Sequence, residues 1–396
     1  MPLTPTLLRW LQSDEAAPWL QALTASPPDD AGLLSALTRL RRRVSPAQAS
    51  ALVSMARLRR RAEKKFGDRA RKMFFDDAGL QQASPTAVAR YTARRYAHVS
   101  QCVDLGCGLG GDSIALAETG ARVLAVDRSP LAVALMQANA RAVGLQDAIL
   151  PVRADVIAPA WEVSVGWADP ARRTGDRRVF HPHALLPPLS ALLDLQRHGM
   201  TDLGIKLMPG LPHEAVPPGA EAEWISLDGE LKEAVLWFGA LVEQVGRRAT
   251  VLPAGVTLWA LAAQAAVRPP GDFLYEPDPA VIRAGAVSDL ACGFGWWQLD
   301  ADIAYLSGNE LVATPFARVW RILEQHPFDL KWLNRRLRAM EAQVEAVKKR
   351  GSPIEPEPFR RRLYRQPGGR SVVVVLTRVV NRPWMLITER LSFATR

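Results

Sequence analysis

Cysteine is scarce in this chain. Three stand among 396 residues, Cys102, Cys107 and Cys292. They form no Cys-x-x-Cys pair and no metal-ligand spacing, which excludes a disulfide scaffold and a cysteine zinc site. Reduced thiols in a cytoplasmic protein are expected. Long apolar runs are also missing. No stretch reaches the roughly 18 residues of a transmembrane helix. The start, Met1-Pro2-Leu3-Thr4-Pro5, has no charged segment followed by an apolar one, so no signal peptide is expected. His181 and His183 flank Pro182 without further ligands nearby, so they read as loop residues and no metal is expected. Internal repeats and long low-complexity tracts are absent as well, which argues against a solenoid.

What remains is globular in composition. Apolar residues make up 48% of the chain, and its length suits two or three domains. The net charge is +10 and unevenly placed. Residues 39–72 and 331–396 carry +11 each, while 73–330 carry −9. Basic flanks beside an acidic centre point to a polyanionic partner, most simply nucleic acid.

The chain is organised around Val103-Asp104-Leu105-Gly106-Cys107-Gly108-Leu109-Gly110-Gly111-Asp112. An apolar run enters it and a helix-compatible run leaves it. Glycines at alternate positions let the backbone turn with positive φ and let a ligand approach closely. Strand, glycine turn and helix read as the first half of a nucleotide-binding βαβ unit. The spacing Gly106-x-Gly108-x-x-Gly111 also matches the dinucleotide pattern. Asp104 argues against a dinucleotide, because it would repel a pyrophosphate seated on the helix N-terminus. It suits S-adenosylmethionine, whose ammonium and sulfonium are positive.

Residues 1 to about 72 read as helices, broken at Pro27-Pro28-Asp29-Asp30. Ser84 and Pro85 are expected to open a helix running to about residue 97. Strands are expected at 101–105, 122–127, 149–153, 163–168 and 203–207, with helices at 112–118 and 130–142 between them. The segments 223–226 and 249–252 read as last strands. Asp104, Asp127, Asp155 and Asp169 all fall at carboxyl ends of successive strands, where open α/β sheets bind ligands. Asp127 is placed to accept hydrogen bonds from a ribose diol, and Asp155 lies where an adenine amino group would be. Residues 267–272 read as a linker. Residues 331–347 read as one charged helix, followed by β-rich runs at 371–380 and 385–388.

On these residues the chain resembles class I methyltransferases that use S-adenosylmethionine. Residues 103–112 resemble that family's first motif and Asp127 its ribose-binding acid. Residues 65–155 are similar to the core of trimethylguanosine synthase, through Phe75-Asp76-Asp77-Ala78-Gly79, Ser84-Pro85, Gly110-Gly111-Asp112-Ser113-Ile114, and 134–144 with Asn139 inside it. The whole chain is similar to bacterial methyltransferases with a C-terminal THUMP-like domain, through Asp169-Pro170-Ala171-Arg172-Arg173, Tyr275-Glu276-Pro277-Asp278-Pro279 and Val347-Lys348-Lys349-Arg350-Gly351. The resemblance implies an α/β fold: a Rossmann-like class I sheet (99–268), an N-terminal helical region (1–98), a small α+β, ferredoxin-like region (269–330) and a THUMP-like domain (331–396). It implies S-adenosylmethionine as donor, held by Asp104, Gly106, Gly108, Gly110, Asp112, Asp127 and Asp155. Asp169 and Pro170 would orient the acceptor amine.

Amino-methyltransferases usually carry two prolines and an aromatic ring after that acid. Here Asp169-Pro170-Ala171-Arg172 lacks the second proline and the ring. Arg172 stacking through its guanidinium, or Phe180 or Trp167, is the expected substitute. A pyrimidine-C5 mechanism needs a nucleophilic cysteine, and Cys292 alone lies downstream, in the following domain. The expected reaction is methylation of a base nitrogen in RNA, such as rRNA or tRNA. Arg172, Arg173, Lys206, Lys348, Lys349, Arg350, Arg360, Arg361 and Arg362 are the expected phosphate contacts. An RNA-binding protein with an inactive methyltransferase fold, and a protein or small-molecule methyltransferase, are the rival readings.

Overall fold

Pro5, Pro46 and Pro130 each sit in the first turn of a helix, where a missing N–H leaves nothing unpaired. A computed structural model describes residues 2–157, 162–171, 173–174, 177–178 and 185–391, with the backbone alone at 173–174 and 177–178. Three short helices, α1 (Pro5–Leu11), α2 (Ala17–Ala25) and α3 (Leu33–Leu40), pack on the long α4 (Pro46–Phe66). Ser45 closes the start of α4 with a capping box: Ser45 Oγ accepts from the Gln48 N–H, and Gln48 Oε1 accepts from the Ser45 N–H. Leu52, Met55, Ala62 and Phe66 are the buried stripe of α4. Then follow α5 (Asp77–Gln82) and α6 (Thr86–Ala93), the latter extended by a 3-10 turn over Arg94–Tyr96. The helix expected to have Ser84 as its cap and Pro85 as its first residue thus starts one residue later, at Thr86. Ser84 does not cap it, because its hydroxyl donates to Glu233 Oε2 instead, at 2.7 Å.

The strands β1 (Gln101–Leu105), β2 (Arg122–Asp127), β3 (Ile149–Arg153) and β4 (Val165–Ala168) alternate with α7 (Gly111–Glu118) and α8 (Pro130–Ala142). A small pair, β5 (Arg173–Thr174) and β6 (Arg177–Arg178), and α9 (Leu189–His198) precede β7 (Asp202–Leu207). After β8 (Glu221–Leu227), β9 (Glu230–Trp237) lies antiparallel to β7. The order β9-β7-β4-β1-β2-β3 is parallel from β7 to β3. Strand order reverses between β1 and β4, and a crevice opens beyond the carboxyl ends at such a point.

Two compact bodies divide the chain. One comprises Met1–Ala222 and Lys232–Val245; the other comprises Glu223–Leu231 and Gly246–Arg396. The N-terminal helices, expected as a separate region, therefore belong to the body that carries the parallel sheet. In the second body, β10 (Gly246–Leu252) and β11 (Val256–Ala260) form an antiparallel pair. Its main sheet has β12 (Phe273–Pro277), β13 (Trp297–Asp300), β14 (Ile303–Gly308), β15 (Ala317–Pro327), β16 (Ala342–Lys349), β17 (Arg370–Val379) and β18 (Arg382–Arg390), in the order β13-β14-β12-β15-β18-β17-β16. The helices α10 (Pro279–Ala284), α11 (Val287–Phe294), α12 (Leu330–Ala339) and α13 (Pro356–Arg360) complete it. Alternation along β17 feeds two cores. Val372 and Val374 pack with Leu333, Leu337 and Phe359, while Val373 and Val375 pack with Leu274, Tyr305 and Trp320. The segments 269–330 and 331–390 share this one sheet rather than forming two domains.

The charged helix expected over 331–347 ends at Ala339. Glu341 turns the chain with φ +48°, and 342–349 pair in parallel with β17. The alternation Ala342-Gln343-Val344-Glu345 fits that strand, and partners far along the chain override local helix propensity.

Candidate active site

The site begins with the turn that follows β1. Gly106 has φ +99°, and a Cβ there would lie 2.9 Å from the Asp169 carbonyl oxygen. The turn after β1 and the end of β4 are therefore in contact, and only glycine permits it. Gly110 has φ +96°, and a Cβ there would run into Met136 Sδ. Gly108 N–H donates to Asp127 Oδ2 at 3.1 Å, and Ser129 N–H donates to Asp127 Oδ1 at 2.8 Å. Asp127 is thus fixed at the end of β2, facing the turn. A cleft of about 760 Å³ opens here. Gly106, Gly108, Asp112, Asp127, Asp155 and Asp169 line it. Asp155 is exposed at its edge, where its Oδ1 accepts from Ile157 N–H at 3.1 Å.

Asp104 differs from expectation. It is buried behind the turn and does not line the cleft, and its Oδ2 accepts from the Ser113 hydroxyl. Burial, with Asp112 close by, pushes its carboxyl up to about 8 against that hydrogen bond. At neutral pH it therefore holds its proton unless positive charge is brought near. Asp104 Oδ1 and Asp112 Oδ1 are buried without partners among the described residues. Unfilled acidic oxygens around a glycine cradle suit a ligand carrying positive charge and would oppose a pyrophosphate.

Lys206 also differs from expectation. It was expected to contact phosphate but is 2% exposed. Its ammonium lies 2.5 Å from Asp169 Oδ2 and 3.0 Å from Asp112 Oδ2. Burial would lower its pKa, but Asp112, Asp169 and Glu233 outweigh this and raise it. A cation so committed has no charge left for phosphate. Glu233, on β9, is buried beside it, and burial pushes its carboxyl up to about 7 while Lys206 opposes the shift. Lys65 closes the wall made by α5. It donates to the carbonyls of Leu80, Gln81 and Ala83 at 2.8, 3.1 and 2.7 Å. Burial, with Lys206 and Lys232 nearby, pulls Lys65 down to about 8.

Glu233 and Lys65 were not foreseen as site residues. Glu233 lies on a strand not recognised in the sequence. The lysine inside the apolar run Leu203-Gly204-Ile205-Lys206-Leu207 is a signal of a buried ion pair that was legible. Asn139 is the other hidden element. Fully buried on α8, it donates to the carbonyls of Phe74 at 3.0 Å and Leu109 at 2.8 Å, and accepts from Phe74 N–H at 2.7 Å. It ties the segment before α5 to the glycine turn.

The expected ring for the acceptor is not Trp167. That residue is 1% exposed and packs against Tyr96 and Trp237, with centroids 6.5 and 5.8 Å away. Phe180, His181, His183 and Arg172 lie outside the described residues, and Arg173 is described by its backbone alone, in β5. Pro170 and Ala171 line the cleft, and Ala171 forms a bridge with Leu186 through hydrogen bonds of 2.9 and 3.1 Å.

The basic run at 348–350 is engaged inside the second body. Lys348 pairs with Glu276 over the Trp320 ring, Lys349 pairs with Glu355, and Arg350 donates to the Ala304 carbonyl at 3.1 Å. This opposes the expectation that these three face RNA. Arg360 is partly buried, whereas Arg361 and Arg362 are exposed. In the N-terminal cluster, Arg59 is buried and donates to the carbonyls of Met73 and Lys72. Cys102 and Cys107 are buried, and burial pushes Cys102 up to about 12, far from a thiolate. No helix among the described residues is long and apolar enough to cross a membrane.

A parallel sheet with a glycine turn at its switch point and acidic residues at strand ends defines a class I methyltransferase fold. Comparison with known proteins agrees. Residues 99–178 match the family model for RNA cap guanine-N2 methyltransferase, residues 317–390 match a THUMP domain-like family, and residues 4–62 match a domain of unknown function. The chain is 38% identical over 339 residues to an uncharacterized S-adenosylmethionine-dependent methyltransferase of Mycobacterium tuberculosis, in strains CDC 1551 and H37Rv. That alignment covers 83% of this chain and 92% of the relative. The fold is similar to a crystal structure of a candidate methyltransferase from Porphyromonas gingivalis W83, with TM-score 0.73, 18% identity and 98% of each chain covered. The chain belongs to the S-adenosylmethionine-dependent methyltransferases, and S-adenosylmethionine is its methyl donor.

Proposed function

We propose that the cleft transfers a methyl group to a nitrogen of a base in RNA. The observation that carries this reading is Asp169. Its carboxylate stands at the end of β4, lines the cleft, is ion-paired to buried Lys206, and its backbone touches the donor turn at Gly106. A carboxylate fixed there accepts hydrogen bonds from an amine and aims its lone pair. Bound S-adenosylmethionine supplies a methyl group on a sulfonium, which leaves without acid help. The residues then contribute mainly position. Asp127 holds the donor ribose, Asp155 the adenine edge, and the Gly106–Gly110 turn the methionine end, with Asp104 and Asp112 contributing negative charge. The RNA part is supported by the family match over 99–178, the THUMP domain-like match over 317–390 and the basic ends. The deciding experiment is mass spectrometry of RNA nucleosides from a deletion strain beside wild type. One methylated nucleoside should disappear; an unchanged profile would remove RNA as the substrate.

Two further results are expected. S-adenosylmethionine at 100 times its dissociation constant should stabilise the first body by about 2.7 kcal/mol, while NAD should not bind. Asp127→Ala should weaken the donor, as calorimetry would show; NAD binding in its place would refute the donor site. Separately, Arg361 and Arg362 are exposed, and we assign them phosphate contacts. Changing both to glutamine should flatten the log–log salt dependence of single-stranded RNA binding by up to about 1.4 units. An unchanged slope would move the RNA contact elsewhere, leaving exposed Arg41, Arg42 and Arg43 as the next candidates.

A further inference from the structure

Lys206 occupies an unusual place. Ile205 pairs with Ala168, so the register sets Lys206 beside Asp169, the residue after β4. On its other flank it pairs with Val235 of β9. From this position one buried ammonium reaches Asp169, on the acceptor side, and Asp112, in the first turn of the helix that follows the donor turn. The geometry points to Lys206 as a positioning residue that joins the two halves of the cleft, holding the donor-side and acceptor-side carboxylates in one cluster. This rests on the reading of Asp169 as the acceptor residue, but its donor-side half does not.

The charges around Lys206 are specific. Asp112 faces it from α7, Asp169 from the end of β4, Glu233 from β9 and Asp104 from β1. Lys65, on α4, and Lys232, on β9, are the neighbouring cations, and Lys65 is held by three carbonyls. Four acids thus surround one fully buried ammonium. Two of them direct an oxygen at it, and Glu233 turns one oxygen to Ser84 and leaves Oε1 without a partner among the described residues. Removing the cation takes away the ammonium that Asp112 and Asp169 share at the wall of the cleft, so each is released from its position. The same cluster would therefore set both how the donor is held and where the acceptor amine is aimed.

The test uses full-length protein and S-adenosylhomocysteine, the demethylated donor, measured by calorimetry. Lys206→Met should weaken its binding about tenfold at a fixed, neutral pH. The charge-conserving pair Lys206→Met with Asp169→Asn should restore affinity to within about threefold. A role in packing alone cannot produce that rescue. If Lys206→Met does not fold, Lys206→Met with Asp169→Asn is compared directly with Asp169→Asn, and a loss in the pair as large as tenfold overturns the proposal. Lack of rescue in folded protein, or an unchanged affinity in Lys206→Met, overturns it too. These outcomes need no acceptor, so a failure of the RNA reading would appear separately, as absent methyl transfer in wild type.

Discussion

Asp169→Ala is expected to lower methyl transfer by about 100-fold or more while leaving donor affinity within about twofold. The reason is the distribution of contacts. The Asp169 carboxylate meets Lys206, whereas its backbone carbonyl meets the donor turn. The substitution removes only the carboxylate. The strand end stays bridged at Ala171 to Leu186, and Lys206 keeps Asp112 as a partner. Donor geometry is therefore preserved, and what disappears is the group that aims the acceptor lone pair along the line to the methyl carbon. In-line displacement tolerates little misplacement, so the loss falls on kcat. Single-turnover methylation of RNA from the deletion strain, beside calorimetric donor titration, reads the two quantities separately. Full activity in the folded variant would make Asp169 a turn residue. A large loss of donor affinity would mean the acceptor pocket lies elsewhere.

Much of this arrangement was legible because it depends on short-range pattern. The strand before Gly106, the glycine spacing and the recurrence of Asp104, Asp127, Asp155 and Asp169 at strand ends are local signals, and four of the five expected parallel strands start and stop within one residue of the observed bounds. The antiparallel β9 (Glu230–Trp237) was missed although Asp228-Gly229 before it is a two-residue hairpin signal; its pairing with β7 has no such local mark. Glu233 was lost with it. Composition also misled: Lys348, Lys349 and Arg350 read as a free basic cluster, yet Glu276 and Glu355, remote or unremarkable in sequence, take up their charge. The burial of Asp104 could not be read either. An acid at the end of a strand looks the same whether it opens onto a cleft or lies beneath the turn, and only the Ser113 hydroxyl separates the two cases.

Asn139 illustrates the same limit and carries the second large effect. In the sequence it stands out only as part of a family pattern over 134–144, since its partner Phe74 lies 65 residues away. Asn139→Ala removes three hydrogen bonds and leaves Phe74 N–H, Phe74 C=O and Leu109 C=O buried without their side-chain partner. Each such group costs about 1–3 kcal/mol, partly relieved by relaxation, so a loss of about 3–4 kcal/mol is expected. Asn139→Asp should not rescue it. The carboxylate can still accept from Phe74 N–H, but it turns an oxygen, rather than an amide N–H₂, toward two carbonyls. Leu109 belongs to the donor turn and Phe74 leads into Asp76, which accepts from Gly79 N–H at the start of α5. Weaker donor binding should therefore accompany the loss of stability. Urea unfolding monitored in the first body, with an unchanged slope and a lower midpoint, measures the first effect, and calorimetry the second. A variant as stable as wild type would show that Asn139 does not hold the turn. One that is destabilised with donor affinity intact would show that the glycine turn keeps its shape without the tie to α8.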